Sequence, residues 1–352
     1  MNGPTGRATA RKRLALRVPG SACNLGPGFD ALGLALGIYN RLTFDLLEED
    51  DPSIPLVRLK GEIAGGFPTD RSNLVHAVLG RLLQDSPALL RRIRVLIDTD
   101  IPPGRGLGSS ATAVLGAVWA ARALSGEPSD RAEALAEAAR LEGHPDNAAA
   151  SALGGFVVCS PSMHTPAVVT QRLAWPTEWR PLVVVPPYPL GTQESRNLLP
   201  DRVRLTDAVS NIQRASLLVS AVANRDEGAL SEALHDRIHE PYREKRVPEL
   251  RILREELSDM PVLGCVLCGA GSSVLVLVNE RNRAAVLGFL KGWARQRPQP
   301  PQVLDLDVDQ EGLQESGKTE IQKDDEILPG AEPQDQRRGL ERGRDRGGRG
   351  KP

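Results

Sequence analysis

The sequence predicts a protein that contains both α-helices and β-strands and has two domains. Its 352 residues are enough for two domains of ordinary size. Apolar patterns typical of strands and of helices are interspersed along residues 13–295, and a loop-like stretch at residues 160–165 divides them. Beyond residue 296 no apolar periodicity continues. We therefore predict an N-terminal domain over residues 13–160, a C-terminal domain over residues 161–295 and a disordered tail over residues 296–352.

Composition and charge narrow the classes of partner. The hydrophobic fraction of 40% is sufficient for a sizeable core, and the net charge of −1 gives no global basic field for nucleic acid or a membrane surface. No apolar run approaches the length of a membrane span, and residues 1–13 lack the apolar region of a signal peptide. We expect a cytoplasmic protein whose core binds neither nucleic acid nor membrane.

The tail has two parts of different composition. Residues 305–335 are mainly acidic, whereas residues 337–351 are rich in arginine and glycine. An Arg/Gly-rich segment can bind RNA. We favour an inert extension, and on that interpretation activity should survive truncation at Gln296.

The most informative stretch is PPGRGLGSSATA, at residues 102–113. Its three glycines at alternate positions leave the backbone free of Cβ atoms, so the chain can wrap closely around a ligand. A strand pattern at residues 93–97 precedes the loop, and a helix pattern at residues 111–124, closed by Gly126, follows it. Backbone N–H groups and the positive end of a helix dipole therefore converge where a polyphosphate could bind.

Two standard phosphate loops do not fit this stretch. A Walker A loop requires a lysine that is absent here, and a Rossmann fingerprint requires glycine where Ser109 stands. A glycine-rich hairpin without a ligand is the alternative. The adjacent hydroxyls of Ser109 and Ser110 at a helix start favour an anion site, although their spacing does not identify the anion.

Three further polar residues lie in apolar surroundings. Asn24 and Asp30 are embedded in a turn-rich, Gly/Pro-rich stretch at residues 19–36, where they either line a pocket or cap turns. Glu142 falls on the apolar stripe of a helix that is predicted to start at residues 129–130. A carboxylate on a buried stripe is costly unless a cation such as a metal ion pairs with it, and the alternative is a side chain turned to solvent.

The sequence gives only weak evidence for a zinc site. His235 and His239 are four residues apart on a predicted helix, a spacing that can bind zinc, but two solvated histidines are the simpler interpretation. Cys265 and Cys268 form a single CxxC pair with no second pair to complete a site. We predict that the cysteines are buried, reduced thiols.

Several stretches, in chain order, resemble the GHMP kinases. Residues 102–113 match the ATP loop of that family, P-x-x-x-G-L-G-S-S-A-x-A, and CGAGS at residues 268–272 resembles its third motif. Three further stretches resemble one family among the GHMP kinases, the homoserine kinases. They are NLGPGFDALGLAL at 24–36, EGHPDN at 142–147 and SRNLLP at 195–200. The resemblance covers about residues 13–295, with departures at Cys23, Ser195 and Ser272.

The resemblance implies a fold and a reaction. The fold would be α+β, with an N-terminal half like ribosomal protein S5 and a ferredoxin-like C-terminal half. The reaction would be ATP-dependent, Mg²⁺-assisted phosphorylation of the hydroxyl of L-homoserine to O-phospho-L-homoserine, in threonine biosynthesis, by an enzyme that is often a homodimer. Another GHMP small-molecule kinase, or a non-catalytic nucleotide-binding protein, is the alternative.

The resemblance also implies residue roles. The ATP triphosphate would bind to the loop formed by Pro102, Pro103, Gly104, Arg105, Gly106, Leu107, Gly108, Ser109, Ser110, Ala111 and Thr112. Ser110 and Glu142 would hold Mg²⁺. The substrate would contact Asn24, Asp30, Asn147, Arg196, Arg243, Gly269 and Gly271, with the ammonium at Asn24 and Asp30, the carboxylate at the two arginines and the reacting hydroxyl near Asn147.

The identity of a general base is left open by these residues. Asp146 is the candidate by residue type, and with Ser110, Glu142 and Asn147 it completes the predicted catalytic set. Phosphoryl transfer depends chiefly on alignment and charge neutralisation. Our hypothesis is that no protein base is essential and that the phosphate itself receives the proton.

Overall fold

The computed structural model describes residues 10–61 and 66–316. Its strands are β1 (Ala10–Asn24), β2 (Gly28–Leu47), β3 (Val57–Lys60), β4 (Ile93–Thr99), β5 (Phe156–Pro161), β6 (Val168–Leu173), β7 (Trp179–Val185), β8 (Val262–Leu267), β9 (Val274–Asn279), β10 (Gln302–Asp305) and β11 (Gln314–Ser316). Its helices are α1 (Leu74–Leu82), α2 (Pro87–Arg91), α3 (Ser109–Ser125), α4 (Arg131–Glu142), α5 (Asp146–Leu153), α6 (Thr192–Arg196), α7 (Leu205–Asn224), α8 (Glu227–Ala233), α9 (Glu240–Arg243), α10 (Pro248–Glu256) and α11 (Glu280–Arg295). None of these helices is long and apolar enough to cross a membrane.

The described strands form two sheets. Seven of them make the first sheet, in the order β11-β1-β2-β4-β3, with β5 paired to β2 and β6 paired to β5. Four make the second, antiparallel sheet, in the order β10-β7-β9-β8. This mixed architecture with two halves confirms the predicted α+β class.

The long hairpin of β1 and β2 differs from the sequence prediction. We expected a short strand followed by a turn-rich stretch over residues 19–36, but only residues 25–27 form the turn between the two strands. Leu32, Leu34 and Leu36 lie in one hydrophobic cluster at two-residue steps, which is the period of a strand. The Gly and Pro residues that suggested turns are accommodated by register shifts in the ladder, one of them between Pro19 and Gly20.

Helix α3 is the centre of the first half, as the apolar run after the glycine loop predicts. Most of its residues are buried, and it packs against β1, β2 and α1. The helix ends at Gly126, whose φ of 83° is left-handed and favours glycine. The buried helix therefore fixes the position of its own N-terminus and of the loop before it.

The predicted domain limit at residue 160 falls inside β5. Strand β6 continues the first sheet to Leu173, because residues 156–161 and 168–173 pair as an antiparallel hairpin. The second half begins with β7, where Trp179 packs edge-on against Trp175, with ring centroids 5.5 Å apart.

Residues 302–316, here called the C-terminal strap, correct the predicted start of the tail. Strand β10 adds to β7 in the second sheet, Val308 bridges to Leu36, and β11 adds to β1 in the first sheet. Leu313 is 1% exposed within the core of the first half. The alternation of apolar residues and aspartates in VLDLDVD is a strand pattern that the acidic composition obscured. The prediction for residues 317–352 lies outside the described residues.

Candidate active site

A cleft of about 690 Å³ lies where the glycine loop faces the second half of the molecule. It brings together most of the predicted site residues: Asn24, Asp30, Gly104, Arg105, Gly106, Leu107, Gly108, Ser109, Ser110, Ala111, Glu142, Asp146, Asn147, Arg196, Arg243 and Gly269. Four predicted residues, Pro102, Pro103, Thr112 and Gly271, do not line this cleft. The Thr112 side chain instead donates to the carbonyl of Ser109, 2.8 Å away, inside the helix.

The glycines of the loop are required by close contacts as well as by backbone conformation. Gly106 has φ of +73° and Gly108 has φ of +74°. A Cβ on Gly106 would lie 2.1 Å from the carbonyl oxygen of Cys268, and one on Gly108 would lie 2.3 Å from the Ser21 hydroxyl. The loop is therefore packed against both neighbouring segments, which holds it in one shape.

The N-terminus of α3 opens into the cleft. Gly108 is its N-cap and offers no side chain to the first N–H groups. Ser109, Ser110 and Ala111 form the first turn and line the cleft. Uncapped N–H groups and the helix dipole make this end a site for an anion such as a phosphate group.

Ser110 and Glu142 meet at the edge of this site. The Ser110 hydroxyl donates to Oε1 of Glu142 at 2.7 Å. Glu142 is the last residue of α4, and within residues 10–61 and 66–316 it forms no ion pair with a cationic side chain. A hydroxyl and an unpaired carboxylate are hard oxygen donors of the kind that Mg²⁺ prefers, so this pair fits the predicted metal site.

Asp30 and Arg196 form a bidentate ion pair across the cleft, with N–O distances of 2.7 and 3.0 Å. Asn24 supports the backbone beneath them. Its Oδ1 accepts the N–H of Asp30 at 3.0 Å, and its Nδ2 donates to the carbonyl of Gly269 at 2.9 Å. Both ends of the Asn24 amide are thus engaged by the protein, and its predicted contact with a substrate ammonium stays a prediction.

Arg243 is a buried cation in the wall of the cleft, only 2% exposed. It donates to the carbonyl of Gly269 at 3.1 Å and stacks on the ring of Phe29, 5.3 Å away. No carboxylate in the described parts of the chain forms a salt bridge with it, and its Nε has no hydrogen-bond partner there. Burial and the nearby charge of Arg196 lower its pKa to about 10. An unpaired buried guanidinium beside a cleft can bind an anionic group of a ligand.

His144, Asp146 and Asn147 form a hydrogen-bonded group at the opposite wall. Nδ1 of His144 lies 2.8 Å from Oδ1 of Asp146, and this contact raises the pKa of His144. The same carboxylate oxygen accepts the N–H of Asn147 at 2.9 Å, and Asp146 is 2% exposed. Oδ1 of Asn147 accepts the Ser21 hydroxyl at 3.0 Å.

Comparisons with known proteins decide the family. The model for the GHMP kinases N terminal domain matches residues 73–155, and that for the GHMP kinases C terminal domain matches residues 218–294. A homoserine kinase from Microchaete diplosiphon is 34% identical over 278 residues, which are 79% of this chain and 89% of that protein. One from Gloeobacter violaceus is 38% identical over 267 residues, 76% of this chain and 88% of that protein. The chain belongs to the homoserine kinase family.

A solved structure gives the same fold. The crystal structure of homoserine kinase from Cytophaga hutchinsonii superimposes with a TM-score of 0.74 at 23% identity, covering 90% of this chain and all of that one. The two-domain GHMP kinase fold and the family resemblance predicted from the motifs are both confirmed.

His144 is a cleft residue that sequence reasoning missed. The signal for it was its place between Glu142 and Asp146 in the EGHPDN stretch that resembles the homoserine kinase family. A lone histidine beside a proline gave no reason of its own to be chosen.

The prediction that His235 and His239 lie on one helix was wrong. Helix α8 ends at Ala233, so His235 and His239 do not share a helix. The Asp236 carboxylate accepts three consecutive N–H groups, from Ile238, His239 and Glu240, and thereby forms a turn. His239 is fully buried, with its Nε2 2.7 Å from the carbonyl of Gly26 and its Nδ1 accepting from Arg243. It orients the Arg243 guanidinium.

The four cysteines are buried and form no disulfide, as the sequence analysis predicts. Burial raises the pKa of Cys159 and of Cys265 to about 12. These thiols stay protonated and inert in the folded protein.

Proposed function

We propose that this protein transfers the γ-phosphoryl group of ATP to the hydroxyl of L-homoserine, giving ADP and O-phospho-L-homoserine, a step of threonine biosynthesis. The observation that carries the proposal is a group of three charged side chains at one end of the cleft: the carboxylate of Asp30 and the guanidinium groups of Arg196 and Arg243. This set is complementary to an amino acid that carries both an ammonium and a carboxylate. The two relatives named homoserine kinase that were described above are 34% and 38% identical to the chain.

The nucleotide end of the cleft fits a triphosphate and Mg²⁺. The N–H groups at the start of α3 would bind phosphate oxygens, and Ser110 with Glu142 would hold the metal ion. When bound, Mg²⁺ supplies neutralisation of the charge on the phosphates. In the described part of the chain there is no cluster of three or more acidic, His or Cys side chains, which suits an ion that depends on substrate phosphates for its other ligands.

The amino-acid end binds the substrate through an exchange of partners. The substrate ammonium faces Asp30, and its carboxylate faces Arg243 and Arg196. The Asp30–Arg196 pair opens to admit these groups, so each charge of the protein keeps an opposite charge nearby. Asn147 then lies near the reacting hydroxyl.

Proton transfer does not require Asp146. Its Oδ1 accepts from Asn147 and contacts His144, so its place in the fold is to hold those two side chains. We infer that the transferred phosphate receives the hydroxyl proton. Asp146→Asn should retain substantial turnover, and a complete loss of turnover with unchanged substrate binding would count against this inference.

A coupled assay of ADP release tests the function. The full chain should release ADP on addition of L-homoserine with Mg²⁺, and chelation of Mg²⁺ should abolish the signal. Mevalonate and L-threonine serve as competing alcohols of different charge and shape. Faster turnover of mevalonate than of homoserine, or nucleotide binding without turnover of any alcohol, would overturn the proposal. A cytoplasmic location and a homodimer stay predictions.

A further inference from the structure

Arg105 belongs to the glycine loop, yet its side chain holds a segment of the other half of the molecule. Its Nε donates to the carbonyl of Pro186 at 3.0 Å, and its Nη2 donates to the carbonyl of Pro187 at 3.0 Å. No carboxylate in the described residues pairs with it. The guanidinium therefore binds two backbone carbonyls that follow strand β7, and its Nη1 also donates to the carbonyl of Pro103 in its own loop, at 3.4 Å.

Further hydrogen bonds link the glycine loop, residues 186–191 and the loop before β9 to one another. The carbonyl of Gly104 accepts the N–H of Leu190 at 2.9 Å, and the carbonyl of Arg105 accepts the N–H of Ser273 at 3.1 Å. The Ser272 hydroxyl donates to the carbonyl of Tyr188 at 2.6 Å. Residues 186–191, here called the bridging segment, are thus held by the glycine loop on one side and by the loop before β9 on the other.

The bridging segment leads directly into the element that binds the amino acid. Gly191 is the N-cap of α6, which has five residues and ends at Arg196. The Ser195 hydroxyl donates to the carbonyl of Ala270 at 2.9 Å, so α6 also rests on the loop that contains Gly269. A short series of hydrogen bonds thus connects the glycine loop to α6, which ends at Arg196.

We propose that Arg105 is a positioning residue that couples the nucleotide site to the homoserine site through the bridging segment. The inference rests on the proposed function. A nucleotide that stabilises one conformation of the glycine loop also stabilises the position of α6. Homoserine bound at Arg196 stabilises the glycine loop in the same way. Such coupling is reciprocal, so each ligand tightens the other by the same factor.

The coupling is measured as the ratio of two dissociation constants. Calorimetry gives the Kd of a nonhydrolysable ATP analogue with Mg²⁺, without and with saturating L-homoserine, for the wild-type full chain. We expect homoserine to tighten the analogue by about fivefold or more, the lower end of typical coupling factors. In Arg105→Ala the ratio of the two Kd values should fall close to one, whatever the loss of this loop side chain does to the Kd without homoserine. Arg105→Lys should restore part of the ratio, since its ammonium can still donate to one of the two carbonyls.

Arg92→Ala is the matched control, because Arg92 is also half-buried and also donates to a backbone carbonyl, that of Leu47 at 2.8 Å, away from the cleft. It should leave the ratio unchanged. If Arg105→Ala does not fold, the role of Arg105 is decided by two other variants, Arg105→Lys and Arg105→Gln. Their KM values for homoserine are then compared at saturating ATP.

Two results would overturn the proposal. One is a wild-type ratio of one. The other is an unchanged ratio in Arg105→Ala; if the analogue affinity is then lost equally with and without homoserine, Arg105 is a direct phosphate ligand instead. Wild-type turnover of homoserine, measured separately, tests the proposed function itself.

Discussion

Asp30 and Arg196 are paired through two N–O contacts, although 166 residues separate them in the chain. Asp30 lies near the start of β2 in the first half, and Arg196 ends α6 in the second. Their side chains are 34% and 31% exposed, so the pair faces the cleft and is open to exchange with a ligand. The pair joins the two halves at the point where the substrate is proposed to bind.

Replacement of Asp30 by Asn should weaken homoserine binding selectively. The variant loses the carboxylate that faces the ammonium, a charge-assisted contact worth about 1.5–3 kcal/mol, so the KM for homoserine should rise by about 10- to 100-fold. The KM for ATP should stay within about twofold, and Tm should change little because a half-exposed pair contributes little stability. Steady-state kinetics and thermal unfolding check both parts.

Asp305→Asn is the matched control, because Asp305 pairs with Arg283 through a similar bidentate contact, at 2.8 and 2.6 Å, outside the cleft. It should leave both KM values unchanged. An equal rise of the homoserine KM in the two variants would contradict a role for Asp30 in binding the substrate.

Replacement of Glu142 by Gln should lower kcat with little effect on folding. The amide is a poorer ligand for Mg²⁺ than the carboxylate, so we expect a loss of about a hundredfold, the size seen when one charge-stabilising group is removed. The Mg²⁺ concentration for half-maximal rate should rise as well. Glu137→Gln on the same helix, which removes only an exposed pair with Arg140, should behave as wild type. Normal Mg²⁺ dependence in Glu142→Gln would refute the metal role.

His144 should make stability depend on pH. Its contact with Asp146 raises the pKa of His144 above the usual 6.5, which means that the fold favours the protonated ring. That contribution is fully present below about pH 6.5 and is lost as the pH rises through the folded pKa. Urea unfolding should therefore show a larger destabilisation by His144→Gln at about pH 6 than at about pH 8.5. His164→Gln, at an exposed position, is the control. A destabilisation independent of pH would show that the ring stays neutral.

The C-terminal strap should be essential to the fold. Truncation at Gln296 removes β10, β11 and the buried Leu313, so we expect an unfolded or inactive product rather than the active one that the sequence predicts. Termination after Ser316 should keep activity. Within the strap, Leu313→Ala should lower the free energy of unfolding by about 2–5 kcal/mol. The exposed Gln302→Ala should stay within about 0.5 kcal/mol of wild type. Full activity after truncation at Gln296 would contradict this role.

The local parts of the structure could be predicted from the sequence. The glycine loop, helix α3 and its end at Gly126 follow from patterns within a few residues of one another. The start of α4 at residues 129–130 is also predicted, and the N-cap proves to be Asp130, whose side chain accepts the N–H groups of Ala132 and Glu133. Local hydrogen bonds decide these features, so a short stretch of sequence contains the information.

The non-local parts could not be predicted from spacing. Arg243 is buried and has no salt bridge within residues 10–61 and 66–316, and nothing near residue 243 in the sequence indicates that burial. The chemistry of Asp30, Arg196 and Arg243 was assigned through a family resemblance. The strap was missed because its aspartates suggested solvent, although only the alternation with valine and leucine determines which face is buried.

The pairing of β11 with β1 places Ala15 opposite Ser316 and has a consequence for synthesis on the ribosome. Until residue 316 leaves the exit tunnel, β1 is an open edge that can pair with a neighbouring nascent chain. The first sheet of the N-terminal half therefore stays incomplete until residues 314–316 are available to pair with β1. Chaperones that shield exposed strands would act on this protein during that interval.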